Sequence, residues 1–140
     1  DQRALTGLVG YHLRRADVHM AQHFARTLAE WDVRQAEVSS LLLIATNDAV
    51  TPSDLAQALN IKRPNLVGLL ERLDRHGFIT RGAHPRDKRS HVLRLTERGE
   101  ALLSEIDGIL RDMDRRVTAC WSERERAQLI ELLRRLYEPD

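Results

Sequence analysis

A chain of 140 residues suits one domain, or one domain with helical extensions. Its 22 basic and 21 acidic residues leave a net charge of +1, and its one cysteine excludes an intrachain disulfide and a cysteine-built zinc module. No apolar run approaches the roughly 18 residues that span a bilayer, and no signal-peptide pattern is visible, so a soluble, cytoplasmic protein with no membrane partner is expected.

The first predicted element is one long helix from Ala4 to Ala29. Leu5, Leu8, Val9, Leu13, Ala16, Met20, Phe24 and Leu28 recur there at three- and four-residue steps. A second helix is predicted over Val33 to Asn47. Its centre, Leu41 to Ala45, is apolar nearly all round and should be deeply buried. Thr51-Pro52 opens a short helix, with Thr51 as N-cap and Pro52 in the first helical position. Leu55, Ala56 and Leu59 form its buried side, and Asn60-Ile61 makes a turn. The next helix starts near Lys62 or Arg63, turns Leu66, Leu70 and Leu73 to the core, and ends at Gly77.

Phe78 to Arg81 and His91 to Thr96 read as two short strands with Val92 turned inward. Between them lies a polar turn, Gly82 to Ser90, with four successive charges. Thr96 caps a helix running to about Thr118. Ser122 and Glu125 form a capping box that opens a last helix carrying Leu129, Leu132, Leu133 and Leu136 on one stripe. The terminal helices are too amphipathic to stand alone, and a second copy is the economical partner.

Charge is unevenly spread. Thr51 to Gly99 holds ten basic and five acidic residues, a net +5, against −4 for the flanks. Such a basic middle is an electrostatic footprint for a polyanion. Two helices either side of a tight turn, then a hairpin with a basic tip, describe a winged helix-turn-helix that reads double-stranded DNA. The second helix would lie in the major groove with its first residues at base edges. Lys62, Arg63, Pro64 and Asn65 occupy that position. Arg63 suits guanine and Asn65 suits adenine. Gly68 would permit close approach to the groove floor. Arg72 and Arg75 would meet phosphates, as would Thr51 and Ser53 at their helix start. In the wing tip, Arg86, Lys88 and Arg89 bracket Asp87. A basic tip suits the minor groove, and Asp87 is expected to pair with Arg89 and present its guanidinium.

These stretches resemble the MarR family of bacterial transcriptional regulators. The resemblance rests on TPSDLAQALNIKRPNLVGLLERLDRHGFITR, on the wing RDKRSHVLRLTERG, and on the long helix before them. The wing pattern D-x-R stands as Asp87-Lys88-Arg89, and L-T-x-x-G as Leu95 to Gly99. What the resemblance implies is mainly α architecture with a small β wing. Residues 1–32 and 100–140 would form a dimerisation region, and residues 33–99 the DNA-binding winged helix-turn-helix. The implied partners are a second copy of the chain, a pseudo-palindromic DNA operator and a small aromatic effector.

The resemblance also points to a pocket walled by the first, second and fifth helices. That directs attention to Tyr11, Arg14, Arg15, Asp17, His19, His23, Phe24, Trp31 and Ser39-Ser40. Arg or His beside aromatic walls suits a carboxylate or a phenolic oxygen. Gly10 to Ala16 resembles the first helix of family members that sense coenzyme A thioesters of aromatic acids, so basic residues there would meet a coenzyme A phosphate. The implied function is a repressor released from its operator by an aromatic acid, a phenol or an acyl-coenzyme A thioester. Two alternatives stay open. One is a DNA-binding dimer without effector. The other is a metal-responsive repressor using His19 and His23, whose i,i+4 spacing puts both on one helical face. No carboxylate cluster or second histidine pair completes a metal set, and no cofactor is expected. Cys120 is expected to be a small apolar filler near the dimer interface. The chain carries no Gly-rich phosphate loop and no nucleophile elbow, so an enzyme is not expected.

Overall fold

A computed structural model describes residues 2–138. In chain order the elements are α1 (Arg3–Thr6), α2 (Val9–Thr27), a 3₁₀ turn (Ala29–Trp31), α3 (Gln35–Thr46), α4 (Pro52–Ala58), α5 (Arg63–Arg75), β1 (Ile79–Ala83), β2 (His91–Leu95), α6 (Glu97–Val117) and α7 (Glu123–Tyr137). The mainly α class with a small β wing is what the sequence predicts. The single long first helix is not what forms. Gly7 closes α1, and Leu8 restarts the chain in an extended conformation, φ −101° and ψ 123°. Glycine is among the weakest helix formers, and the apolar periodicity running across Gly7 hides the break.

Two helix ends share one device. After α4, Asn60 adopts φ +50°, its N–H bonds to the Gln57 carbonyl, and the Ile61 N–H reaches back to the Ala56 carbonyl at 2.9 Å. After α5, Gly77 sits at φ +70°, with Gly77 N–H on Asp74 and Phe78 N–H on Leu73, both at 3.0 Å. Each is a Schellman cap, with a left-handed residue that satisfies orphan carbonyls and turns the chain sharply. The first cap sets α5 across α4. The second delivers the chain into β1.

The wing is antiparallel, with Ile79 opposite Leu95 and Ala83 opposite His91. Leu93 donates to the Val50 carbonyl at 2.7 Å, so the chain just ahead of α4 pairs with β2 and fixes the wing to the helix-turn-helix. Thr96 joins wing to α6. Its N–H bonds to the Phe78 carbonyl at 3.0 Å, its hydroxyl donates to the Gly77 carbonyl, and the same oxygen accepts the Gly99 N–H at 3.2 Å.

The core collects Phe24 of α2 and its C-cap Leu28, Leu41 and Ile44 of α3, Leu55 of α4, Leu66, Leu70 and Leu73 of α5, Leu93 of β2, and Leu102 and Ile106 of α6. Each buried Leu or Ile contributes about 1.5–3 kcal/mol relative to exposure. The apolar run Leu41 to Ala45 is not buried all round, because Leu42 and Ala45 are exposed. The helix α7 has no buried residue at all.

Candidate nucleic-acid interface

The first turn of α5 stands clear of the core. Lys62 is its N-cap, and Asn65 and Leu66 both donate to the Lys62 carbonyl, at 2.9 and 3.0 Å. Lys62, Arg63, Pro64, Asn65, Val67 and Gly68 are exposed, while Leu66, Leu69, Leu70 and Leu73 are buried beneath them. The helix therefore presents a polar, basic edge on a rigid apolar footing. A Cβ added at Gly68 would meet nothing within 4 Å. An open cleft of about 750 Å³ runs beside this edge, with Arg34, Lys62, Asn65 and Arg75 among its walls.

The Thr51 hydroxyl is engaged within the chain. Thr51 forms a capping box with Asp54, whose carboxylate accepts the Thr51 N–H at 2.8 Å and the hydroxyl at 2.7 Å, while the Thr51 oxygen accepts the Asp54 N–H at 3.2 Å. These bonds hold the Asp54 carboxyl below the usual carboxylate range. Ser53 is exposed beside it.

Arg72 also departs from expectation. Instead of standing free for phosphate, its guanidinium donates from Nε to Glu37, a carboxylate only 1% exposed, and from Nη2 to the Asp32 carbonyl at 3.1 Å. The bond to Glu37 raises the Arg72 pKa further above its ordinary value. Arg75, a turn on, is exposed.

The wing tip differs from expectation in one detail. Asp87 does not hold the Arg89 guanidinium; it holds backbone. Its carboxylate accepts the Arg89 N–H at 2.9 Å and the Ser90 hydroxyl at 2.7 Å, which lowers its pKa. Nδ1 of His84, a residue the sequence reading passed over, accepts the N–H groups of Arg86 and Asp87 at 3.1 and 3.0 Å. Two side chains are thus spent on shaping the turn. Arg86, Lys88 and Arg89 stay exposed around it.

The residues expected around an effector do not gather into one cavity within a single chain. Arg14, Arg15, Val18, His19 and Gln22 line a shallow hollow of about 300 Å³ on α2. Phe24 is a core residue in the single chain, 7% exposed. Trp31 packs half-buried against the core from the 3₁₀ turn. The Tyr11 hydroxyl donates to Gln2 and accepts from Arg15, both at 3.2 Å, with the Arg15 guanidinium 5.7 Å above its ring. Asp17 pairs with Arg14 at 3.7 Å. Ser39 is half-buried; Ser40 is buried and donates to the Ala36 carbonyl at 2.7 Å.

The His19 and His23 rings touch edge to face, with centroids 4.6 Å apart. Desolvation, then the nearby charges of His19, Arg26 and Arg116, push the His23 pKa down. Among the described residues no group of three or more His, Cys, Asp or Glu side chains is placed to hold a metal. Cys120 is exposed rather than packed.

The MarR family model matches residues 33–91. A protein of Thauera aromatica named for transcriptional regulation of the hcr operon is 33% identical over 138 residues, covering 98% of this chain and 83% of that protein. The chain belongs to the MarR family. It is a transcriptional regulator of the MarR type, and likeness to solved structures extends through its full length. The transcriptional repressor CouR, bound to a 23-mer DNA duplex, superposes with a TM-score of 0.90 at 30% identity, over 99% of this MarR-family chain and 98% of CouR. CouR bound to p-coumaroyl-CoA gives 0.89 at 28% identity, over 100% and 99%. BpsR of Bordetella bronchiseptica, whose DNA binding is regulated by 6-hydroxynicotinic acid, gives 0.86 at 25% identity over 95% of each chain. No helix among the described residues is long and apolar enough to cross a membrane.

Proposed function

We propose that this protein is a cytoplasmic, homodimeric repressor that binds a pseudo-palindromic operator and leaves it when a small aromatic ligand binds. The observation that carries the DNA part is the edge of α5. Lys62, Arg63 and Asn65 stand exposed over four buried leucines, and the wing tip has a braced backbone and three exposed cations. A side chain held on a rigid footing reads base edges; Arg and Asn do so bidentately. The wing cations add grip in the minor groove. Residues 33–99 would be the DNA-binding part, and residues 1–32 and 100–140 the dimerisation part. The exposed Leu5, Leu8 and Val9 at one end and Ile130, Leu132, Leu136 and Tyr137 at the other support that division. A two-fold dimer would set its α5 helices about 34 Å apart, one turn of DNA.

The effector reading is supported by CouR with p-coumaroyl-CoA and BpsR with 6-hydroxynicotinic acid, two aromatic ligands of relatives alike through nearly the whole chain. The exposed cations Arg14 and Arg15 suit a coenzyme A phosphate.

The test has two stages. A duplex selected by the protein from a random pool is titrated by fluorescence anisotropy at rising salt. Operator binding predicts a steep salt dependence, and Asn65→Ala should cost about 1–3 kcal/mol on the selected duplex and less on a scrambled one. Equal loss on both would demote Asn65 to a phosphate contact. p-Coumaroyl-CoA, benzoyl-CoA and the free acids are then added. Release of the duplex together with a rise in Tm supports the effector reading. Steady occupancy and unchanged Tm across aromatic acids, phenols and thioesters would overturn it.

A further inference from the structure

We propose that Arg72, Glu37 and Asp32 form a latch that sets the angle of α5 against the α2–α3 junction, so that these residues govern operator specificity without touching DNA. The inference rests on the operator-binding reading above and assigns its positioning residues.

The geometry is specific. The Glu37 carboxylate is buried, and a buried charge is costly unless it is paired and its lone pairs are filled. Both conditions hold. The Arg34 backbone N–H donates to Glu37 at 2.7 Å, Arg72 Nε donates to one carboxylate oxygen, and Arg72 Nη2 lies 3.5 Å from the other. The same Nη2 donates to the Asp32 carbonyl at 3.1 Å and lies 3.9 Å from its carboxylate. A guanidinium is a planar fork with fixed directions, so acceptors from two separate places leave it one orientation. One helical turn on, His76 Nε2 lies 3.9 Å from the same Asp32 carboxylate. Arg72 and His76 are i,i+4 neighbours on one face of the helix end. The last turn of α5 is therefore tied to Asp32 through the Arg72 hydrogen bond, with His76 beside the same exposed carboxylate.

Asp32 is itself fixed. It closes the 3₁₀ turn that follows α2, directly after Trp31, in the left-handed conformation with φ +47°. The fastening reaches further. The His76 ring stacks on Phe78 at 5.1 Å, and the His76 carbonyl accepts from Arg98 of α6 at 3.1 Å. One set of side chains thus connects the end of α2, the start of α3, the end of the DNA-reading helix and the root of the wing. Lys62, Arg63 and Asn65 project from the other end of the same rigid helix. A small rotation at the latch moves them across the groove, and base-edge hydrogen bonds are sensitive to such shifts whereas phosphate attraction is not.

The experiment compares two duplexes of equal length and composition. One is selected from a random pool by the wild-type protein, and the other is its scramble. Affinities are read by anisotropy across a salt series for wild type, Arg72→Met, Glu37→Gln and Asp32→Asn. The latch predicts at least a tenfold loss on the selected duplex for Arg72→Met, with scrambled-duplex affinity within about twofold and the salt slope unchanged. Glu37→Gln is the sharper test. It removes a buried negative charge near the exposed edge of α5, so electrostatics alone predicts equal or tighter binding to both duplexes, whereas the latch predicts loss on the selected one. Asp32→Asn keeps the backbone carbonyl and should give a smaller loss in the same direction. A fall on both duplexes for Arg72→Met, with the slope reduced by about one, would make Arg72 a phosphate contact and overturn the latch. The double variant Glu37→Met/Arg72→Met replaces the buried pair with apolar side chains, a change that commonly preserves folding. Wild-type Tm with a lost preference for the selected duplex supports the latch; recovery of both would show a purely structural pair. A wild-type protein that enriches no duplex would instead sink the operator-binding reading itself.

Discussion

Adding one methyl group at Gly68 should make the free protein more stable and the operator complex weaker. Gly68 lies inside α5, one residue past the exposed Val67, and a Cβ built there meets nothing within 4 Å. No steric cost offsets the backbone gain, so Gly68→Ala should gain the helix-interior difference, about 1 kcal/mol. For a chain of this size that raises Tm by roughly 3–5 °C. On DNA the sign reverses. If the exposed edge of α5 rests near the floor of the major groove, the methyl enters space that bases or their hydration occupy. A tenfold loss, about 1.4 kcal/mol, is then expected on the selected duplex, with little change on a scrambled one. Urea denaturation and anisotropy on one preparation measure both. A stabilised variant with unchanged operator affinity would refute close approach at Gly68. A destabilised variant would contradict the open space around it.

Gly99→Ala should do the opposite of Gly68→Ala. A Cβ there would lie 2.3 Å from the Phe78 carbonyl oxygen, so the root of the wing or the start of α6 must move. A loss of about 1–3 kcal/mol in urea denaturation is expected despite the better helix former, and a gain would refute the contact. Arg89→Ala should weaken DNA binding with Tm unchanged. Asp87→Ala should weaken it too, although it removes a negative charge, because the turn loses the bonds to Arg89 N–H and Ser90; tighter binding would show that Asp87 acts only as a charge. Asp54, Glu125 and Asp87 all have carboxyl pKa values lowered by hydrogen bonds. Their stabilisation is complete above the unfolded-state carboxylate range, so above about pH 5, and is lost as pH falls through the lowered folded values. Glu125→Gln should flatten that acid slope, and an unchanged slope would remove the Glu125 cap from the account.

The helix-turn-helix was legible because its determinants are local. Thr51-Pro52 announces a helix start, Gly77 a stop, and the leucine spacing a buried face. Each rests on backbone chemistry within a few residues. For the converse reason, the ties of Arg72 to Glu37 and Asp32 were not legible. These partners lie 35 and 40 residues away, and nothing near Glu37 marks a carboxylate that will be buried. An arginine late in a recognition helix looks like a phosphate contact until the neighbouring helix is placed. Phe24 shows the same limit. Its spacing on α2 identifies a buried face, but whether that face closes on core or on ligand depends on where α6 packs. His84 was missed because a histidine that accepts two backbone N–H groups leaves no periodic signature.

The terminal helices supply the last test. Leu136 is 62% exposed, and α7 has no fully buried residue within the chain, so Leu136→Glu should leave the fold of a single chain intact. If two copies pack through α7 and the chain start, each Leu136 is worth about 1.5–3 kcal/mol on burial, counted twice in a symmetric dimer, and an unpaired carboxylate adds its own desolvation cost. That is enough to shift association by more than a hundredfold. Light scattering should show twice the chain mass for wild type and the single mass for the variant. Far-UV dichroism should be little changed. The hollow of Arg14, Arg15, Val18, His19 and Gln22 is shallow in one chain and needs further walls to enclose an aromatic ligand. The same variant should therefore lose any thermal shift produced by p-coumaroyl-CoA, along with the preference for the selected duplex. A variant that stays dimeric would place the interface elsewhere. A monomeric variant that keeps its ligand shift would show that one chain builds the effector site alone.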